Sequence, residues 1–136
     1  NIMTKSNIYM VNNNAVSVGE NSNIPLGNIV RRYGCDIDGN SNGVNLKTCG
    51  YYYISGTITF TAPAAGNVEI AVNDDGNTVL GMDKTITVST AGTEVVTLPI
   101  SGVVRVFRNS APDTITLINK GIAIDMTDLA LTAVKL

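Results

Sequence analysis

The stretch that decides the fold runs from Gly50 to Phe60 and reads GYYYISGTITF. Its residues alternate between two sets, and the first set is apolar: Tyr52, Ile54, Ile58 and Phe60. The second set mixes tyrosine with small hydroxyl side chains: Tyr51, Tyr53, Ser55, Thr57 and Thr59. Because successive side chains of a β-strand point to opposite sides, this period of two predicts a strand with one buried face.

Similar short segments lie on both sides of this strand. Residues 67–73 alternate with Val68, Ile70 and Val72 inward, and the sequence DDGN at 74–77 predicts a tight hairpin turn. Further strands are predicted over residues 8–11, 15–18, 28–33, 84–89, 94–100, 103–108, 114–119 and 128–136. Turn residues separate them, including Ser101-Gly102. This pattern of about eight to ten short strands predicts an all-β, antiparallel sandwich or barrel.

Length and composition indicate one sandwich domain preceded by a polar arm. The chain has 136 residues, the size of a single domain, and only 15% of them are charged. We place the domain at residues 25–136, because residues 1–24 are rich in asparagine and serine and read as an N-terminal arm or linker. No apolar stretch approaches the roughly 20 residues of a membrane span, so membrane insertion is not expected.

Charge and residue types argue against nucleic-acid binding and against most catalytic mechanisms. Nine basic and eleven acidic residues give a net charge of −2, and Arg31-Arg32 is the only adjacent basic pair, whereas phosphate backbones require clustered positive charge. The chain has no histidine, so no Ser-His or Cys-His pair can form. We therefore predict no enzyme activity, no cofactor and no metal. A paired-carboxylate carbohydrate-active enzyme is an open alternative, although nearly all the candidate aspartates lie in turn-like contexts.

Two of the predicted strands are apolar on both sides. They are residues 103–107, VVRVF, and residues 129–134, LALTAV. An antiparallel strand that faces water should be polar on its outer side, so these strands need a second cover. Since the sequence predicts no helices, a sister subunit is the favoured cover. The alternative is an ordinary monomer in which loops cover both strands.

The segment Gly50–Phe60 resembles the Gly-Tyr-Tyr strand of the C1q/TNF-like jelly roll. The resemblance is to the small form found in phage structural proteins and at the tips of bacterial collagen-like surface proteins. Three further segments fit it: NIVRRYGC at 28–35, residues 66–76, and the apolar last strand at 129–136. The resemblance covers about residues 25–136 and implies an antiparallel jelly roll that forms a homotrimer.

This resemblance also implies which positions form the trimer interface and what the trimer does. The interface positions are Tyr51, Tyr53, Leu129, Leu131 and Ala133. The implied function is that of a phage virion fibre tip or decoration domain, on the virion surface or outside the cell, with a cell-surface glycan or capsid protein as a further partner. The alternative is the trimerising tip of a secreted bacterial filament.

Three turn regions supply candidate ligand-binding residues: Asp36, Asp38, Asn40 and Asn42; Asp74, Asp75 and Asn77; and Asn109 and Asp113. Three copies of such loops in one assembly would bind with increased avidity. Residues 36–43 partly resemble a calcium loop. However, Ser41 and Lys47 stand where such loops carry Gly and Glu, so a hairpin turn is the simpler interpretation, and an oxygen-rich calcium site of another kind is the open alternative.

Cys35 and Cys49 flank this turn at equal distances from Asn42. Should the region form a hairpin, the two cysteines could face each other and form a disulfide, which would stabilise the fold by about 3 kcal/mol. Two free thiols that pack as small apolar groups are the open alternative.

Overall fold

Residues 5–136 are described by a computed structural model in which every regular element is a β-strand. In chain order the strands are β1 (Asn7–Asn12), β2 (Val16–Val18), β3 (Ser22–Asn23), β4 (Asn28–Tyr33), β5 (Ile37–Asn40), β6 (Gly43–Leu46), β7 (Gly50–Thr61), β8 (Gly66–Asp74), β9 (Asn77–Val88), β10 (Val96–Val106), β11 (Asp113–Asn119) and β12 (Ile124–Lys135). Within residues 5–136, the structure has no helix with the length and apolarity of a membrane span.

The strands form two antiparallel sheets. Sheet 1 has the order β10-β7-β12-β1-β4, with β2 beside β12, and sheet 2 has the order β5-β6-β11-β8-β9, with β3 beside β11. Most neighbours within a sheet are not consecutive in sequence, so the chain crosses repeatedly between the sheets, as in a jelly roll. The predicted all-β, antiparallel jelly-roll class is confirmed. The structure has more strands than predicted because three of them, β3, β5 and β6, are only two to four residues long and were not among the predicted strands.

The core lies between the inner faces of the two sheets. The apolar set predicted for β7 is buried there, with exposed fractions of 1% or less for Tyr52, Ile54, Ile58 and Phe60. Val68, Ile70 and Val72 of β8 are buried in the opposite sheet, as predicted. Complete burial of one such side chain contributes about 1.5–3 kcal/mol.

The hairpin turn between β8 and β9 is also where the sequence predicts it. Asp75 and Gly76 adopt φ values of 49° and 86°, and β8 ends at Asp74 while β9 begins at Asn77. Two consecutive positive φ angles match the twist of the flanking strands. The Asp-Gly pair therefore fixes the conformation of this turn.

The first 24 residues differ from the expected polar arm. β1 lies inside sheet 1, between β12 and β4, and its side chains Ile8 and Met10 are fully buried. β2 and β3 pair with β12 and β11. The arm prediction is therefore wrong for residues 7–24, because the apolar residues hidden among the asparagines complete the core. Residues 1–4, which the prediction also included, lie outside the described part of the chain.

The predicted turn at Ser101-Gly102 is wrong as well, because β10 runs through it without interruption. The glycine at this position serves packing. A Cβ atom at Gly102 would lie 2.7 Å from the Met82 sulfur, which covers the glycine from β9. The two strands predicted within residues 94–108 are thus one strand, and the Met82 side chain packs on it at Gly102.

Candidate functional site

The outer face of sheet 1 carries most of the apolar surface that the fold leaves exposed. Among residues 5–136, eleven large hydrophobic side chains are exposed, and nine of them belong to strands of sheet 1 or directly follow one: Tyr9, Ile29, Val30, Tyr33, Tyr51, Tyr53, Val103, Phe107 and Leu136. Single exposed apolar residues are normal, but contiguous patches mark interaction sites. The register of the strands shows whether these residues are contiguous.

Pairing across β10, β7 and β12 places several of these side chains next to each other. Val103 lies opposite Tyr53, and Tyr53 lies opposite Val134. Arg105 lies opposite Tyr51, and its guanidinium carbon stands 5.4 Å from the centre of the Tyr51 ring. We call the patch formed by Tyr51, Tyr53, Val103, Arg105 and Phe107 the tyrosine face.

Arg105 holds the aromatic part of this patch together. Its guanidinium carbon lies 4.4 Å from the ring centre of Phe107 as well as over Tyr51, within the range of cation–π attraction. Tyr51 and Phe107 remain 50% and 52% exposed despite this contact. The rings of the tyrosine face therefore contact one cation and still leave about half of their surface exposed to solvent or to a partner.

The predicted interface residues divide between the two sides of sheet 1. Tyr51 and Tyr53 point outward, but Leu129, Leu131 and Ala133 are at most 2% exposed and pack in the core. The assignment of these three to an interface is wrong, because their side of β12 faces the other sheet. The outward side of β12 instead presents the half-buried residues Ala130, Thr132 and Val134.

In the first candidate loop, Asp36 makes structural contacts with distant parts of the chain. Asp36 accepts hydrogen bonds from the Ser6 hydroxyl at 2.8 Å and the Thr48 hydroxyl at 2.7 Å, and the Lys135 ammonium lies 3.5 Å away. The Thr48 and Ser6 hydrogen bonds, with Lys135, lower the pKa of Asp36 below its ordinary value. This carboxylate thereby ties together three distant segments of the chain.

The remaining residues of that loop serve its turn. The Asp38 carboxylate accepts a hydrogen bond from the Gly39 amide at 2.7 Å. The Asn40 side-chain oxygen accepts from the amides of Asn42 and Gly43 at 2.8 and 3.2 Å. These are the local bonds that Asp and Asn form in turns, and they occupy atoms that a ligand would need.

The second and third candidate loops come together at one end of sheet 2. Asp74, Asp75, Asn77 and Asp113 line one pocket of about 370 Å³, and Ser110 rather than Asn109 completes the wall from the third loop. Asp75 fastens the two loops, since its carboxylate accepts from the Thr114 amide at 2.8 Å. We call the group Asp74, Asp75 and Asp113 the acidic cluster.

The carboxylates of the acidic cluster are crowded. One oxygen from each of the three lies within 4.8 Å of the others. Burial, followed by the contact with Asp113 and the charge of Asp75, raises the pKa of Asp74 to about 7. Asp113 is only 4% exposed, and one buried oxygen of Asp74 and one of Asp113 have no hydrogen-bond partner among residues 5–136.

The two cysteines do not form the disulfide considered above. Both are exposed free thiols. The β5–β6 hairpin exists, but it pairs Ile37 with Leu46, and the Lys47 amide donates to the Asp36 carbonyl, so the hairpin centre lies between Ser41 and Asn42. If the same pairing continued beyond the hairpin, Cys35 would lie opposite Thr48 and not opposite Cys49. Because neighbouring residues of a strand point to opposite faces, the Cys49 side chain would then lie on the other face of the sheet.

The fold thus described is the C1q/TNF-like jelly roll. The structure is similar to the globular domain of zebrafish complement 1qA protein (TM-score 0.70, 7% identity, 97% of this chain and 98% of that chain). It is also similar to the PRD1 vertex protein P5 (0.65, 16%, 99% and 99%) and to murine APRIL (0.69, 18%, 97% and 99%). No family model matches the chain, and no curated protein matches it.

Sequence reasoning missed two features of these sites. It marked residues 103–107 as apolar on both sides without separating the outward Val103 and Phe107 from the buried Val104 and Val106. Pairing residues 103–107 with β7 in the sequence would have separated them, because paired residues of neighbouring strands lie on the same face of the sheet. It also named the members of the acidic cluster without bringing them together, because their meeting depends on how β8 and β11 pair.

Proposed function

We propose that this protein is a homotrimeric structural and binding domain displayed on a virion surface, as the tip or decoration domain of a phage head or tail fibre. The tyrosine face carries this proposal. Five apolar or cationic side chains stand side by side on one sheet, and nothing within residues 5–136 covers them. A sister subunit is a partner that every copy of the chain encounters.

The outer face of sheet 1 is large enough for a stable interface. Five strands spaced about 4.8 Å apart are about 19 Å wide, and the twelve residues of β7 extend about 40 Å. The resulting area of roughly 700 Å² is close to the about 800 Å² that each partner buries in a standard interface. Tyrosine and arginine are also the residues that most often dominate binding energy at such interfaces.

The threefold state and the virion location are supported by likeness. The resemblance of Gly50–Phe60 to the C1q/TNF-like strand implies a trimer, and one structural neighbour is a vertex protein. In a trimer with the tyrosine faces inward, three identical copies of the turn loops would be presented together. Identical loops that engage a host-surface glycan or a capsid protein would then bind with avidity.

Solution mass tests the assembly. Light scattering on a size-exclusion column should give three times the 14.3 kDa chain mass at micromolar concentration. A monomer under these conditions would contradict the trimer. The location has its own test, in which antibodies against the purified domain label phage particles in electron micrographs; label confined to cell-surface filaments would contradict the virion assignment.

A further inference from the structure

We propose that the acidic cluster is a calcium site, in which Asp74, Asp75 and Asp113 bind one Ca²⁺ between the β8–β9 turn and the start of β11. The carboxylate separations fit this ion. Calcium binds oxygen at 2.3–2.6 Å, so two oxygens on one ion stand no more than about 5 Å apart. One oxygen of each carboxylate lies within 4.8 Å of the other two.

Asp113 provides the independent observation that points to a ligand. Its side chain is 4% exposed, it extends to the carboxyl group of Asp74, and one of its oxygens is buried without a hydrogen-bond partner among residues 5–136. An unpaired buried charge is costly, and folded proteins retain such groups mainly where they are paired or coordinate a metal. The surface aspartate Asp75 lacks this property, because its carboxylate already accepts from Thr114.

Two carboxylates in contact must be neutralised in one of two ways. They can share a proton. Alternatively, a cation can replace the proton and satisfy both oxygens.

The chemistry of the donors selects the ion. The cluster offers only oxygen atoms, which suit hard cations, and it lacks the sulfur and imidazole donors that transition metals favour. Asn77, Thr78 and Ser110 line the same pocket, but the Thr78 hydroxyl donates to Asn73 and accepts from Lys120, and the Ser110 hydroxyl donates to the Phe107 carbonyl. Water molecules would therefore supply most of the remaining oxygens among the six to eight that calcium takes. Arg105 also lines the pocket, but its guanidinium lies over the rings of Tyr51 and Phe107.

The site differs from the expectation drawn from the sequence in both presence and position. The sequence predicted no metal, and its only calcium-like stretch was residues 36–43, whose Asp38 and Asn40 are occupied by turn hydrogen bonds. The acidic cluster instead joins residues 39 positions apart in sequence, since Asp74 and Asp113 meet through the pairing of β8 with β11. Bound calcium would fix the β8–β9 turn against the β10–β11 loop.

Calcium titration of the full chain tests this proposal. After removal of metal with a chelator at pH 8, CaCl₂ should give a saturable calorimetric signal with a Kd of about 10⁻⁵–10⁻³ M. At 10 mM CaCl₂ the Tm should rise by about 5 °C or more. MgCl₂ should produce a clearly smaller rise, because magnesium demands stricter geometry and keeps its water; an equal rise would overturn the assignment to calcium.

Matched variants locate the response. Asp113→Asn and Asp75→Asn should each abolish the calcium-dependent rise in Tm, whereas Asp128→Asn, which removes the same charge from an exposed position on β12, should keep it. In chelator, Asp113→Asn should melt no lower than the wild type, since it removes a carboxylate contact. Asp75→Asn preserves the acceptor for Thr114 and keeps the test valid if Asp113→Asn does not fold.

Two results would overturn the calcium site: no change in Tm or heat for the wild type at 10 mM CaCl₂, or a wild-type response in both cluster variants. The first would mean that the carboxylates share only a proton. None of these readouts depends on the solution mass, so the calcium site and the trimer succeed or fail separately.

Discussion

On the outer face of sheet 1, tyrosine, valine and phenylalanine side chains stand exposed, whereas the outer face of sheet 2 is made of polar groups that bind one another. On sheet 2, the Lys120 ammonium lies 3.8 Å from the Glu69 carboxylate and 3.5 Å from that of Asp83. The Thr87 hydroxyl donates to Asn67 at 2.9 Å. Both faces belong to antiparallel sheets over one core, so the difference lies in their outward side chains alone.

Under the proposed trimer, the outer face of sheet 2 meets water and the outer face of sheet 1 meets a sister subunit. Cross-strand polar pairs of the sheet 2 kind contribute little each, but they leave no apolar area exposed. Leu80 is the main exception on that sheet, at 97% exposed on the edge strand β9. Its neighbour Val79 lines a pocket with Val103 and Arg105, so Leu80 lies close to the tyrosine face. Thr87, which is exposed near the other end of β9, is the better control for substitutions on that face.

The largest effect is expected from a charge placed on the tyrosine face. Tyr53→Glu should convert the trimer to a monomer at micromolar concentration, raising the dissociation constant at least about 30-fold, because central aromatic residues typically contribute 2 kcal/mol or more. Light scattering measures the mass. Thr87→Glu adds the same charge to sheet 2 and should remain trimeric; loss of the trimer in both variants would mean that the two faces do not differ in function.

The next largest effect is expected from substitutions on the two sides of β12. Leu131→Ala should lower the free energy of unfolding by about 2–5 kcal/mol, since Leu131 is buried in the core. Val134→Ala, on the half-buried outer side of the same strand, should cost less than about 1.5 kcal/mol. Urea unfolding in the Tyr53→Glu background measures the isolated chain. Equal losses would contradict the division of β12 into a core side and an interface side.

A smaller, pH-dependent effect is expected at the end of sheet 2. The pKa of Asp74 is about 7 in the folded chain against 3.8 ordinarily, so between these values the folded state keeps a proton that the unfolded chain releases. In chelator, stability should therefore fall as the pH rises from about 4 to 7 and level off above. Asp74→Asn should remove this part of the fall; an unchanged thermal-melting profile would show that Asp74 titrates normally.

The smallest effect is expected from the cysteines, which belong to neither outer face. A thiol reagent should label Cys35 and Cys49 in the folded protein, and the double substitution to serine should leave the Tm within about 2 °C of the wild type. A reductant-sensitive Tm together with unreactive thiols would contradict the free-thiol arrangement.

Local patterns predicted more than longer-range ones. Tyr52, Ile54, Ile58 and Phe60 are buried as the alternation requires, and the turn at Asp75-Gly76 has the predicted positive φ angles. In β12, alternation could not predict which side chains face the core, because both sides of the strand are apolar. The side that faces the core depends on how β12 pairs with its neighbouring strands. Composition failed for β1, where polar neighbours concealed two core residues.

Local sequence patterns predicted most of the strands, the hairpin turn at Asp75-Gly76 and the class of fold, because period-two burial and turn chemistry act between residues close along the chain. The burial of Leu131, the outward position of Val103 and Tyr53, and the shared pocket of Asp74, Asp75 and Asp113 could be read only from the folded chain. Those facts depend on strand order and register, which are set by the packing of the whole sandwich rather than by any single segment.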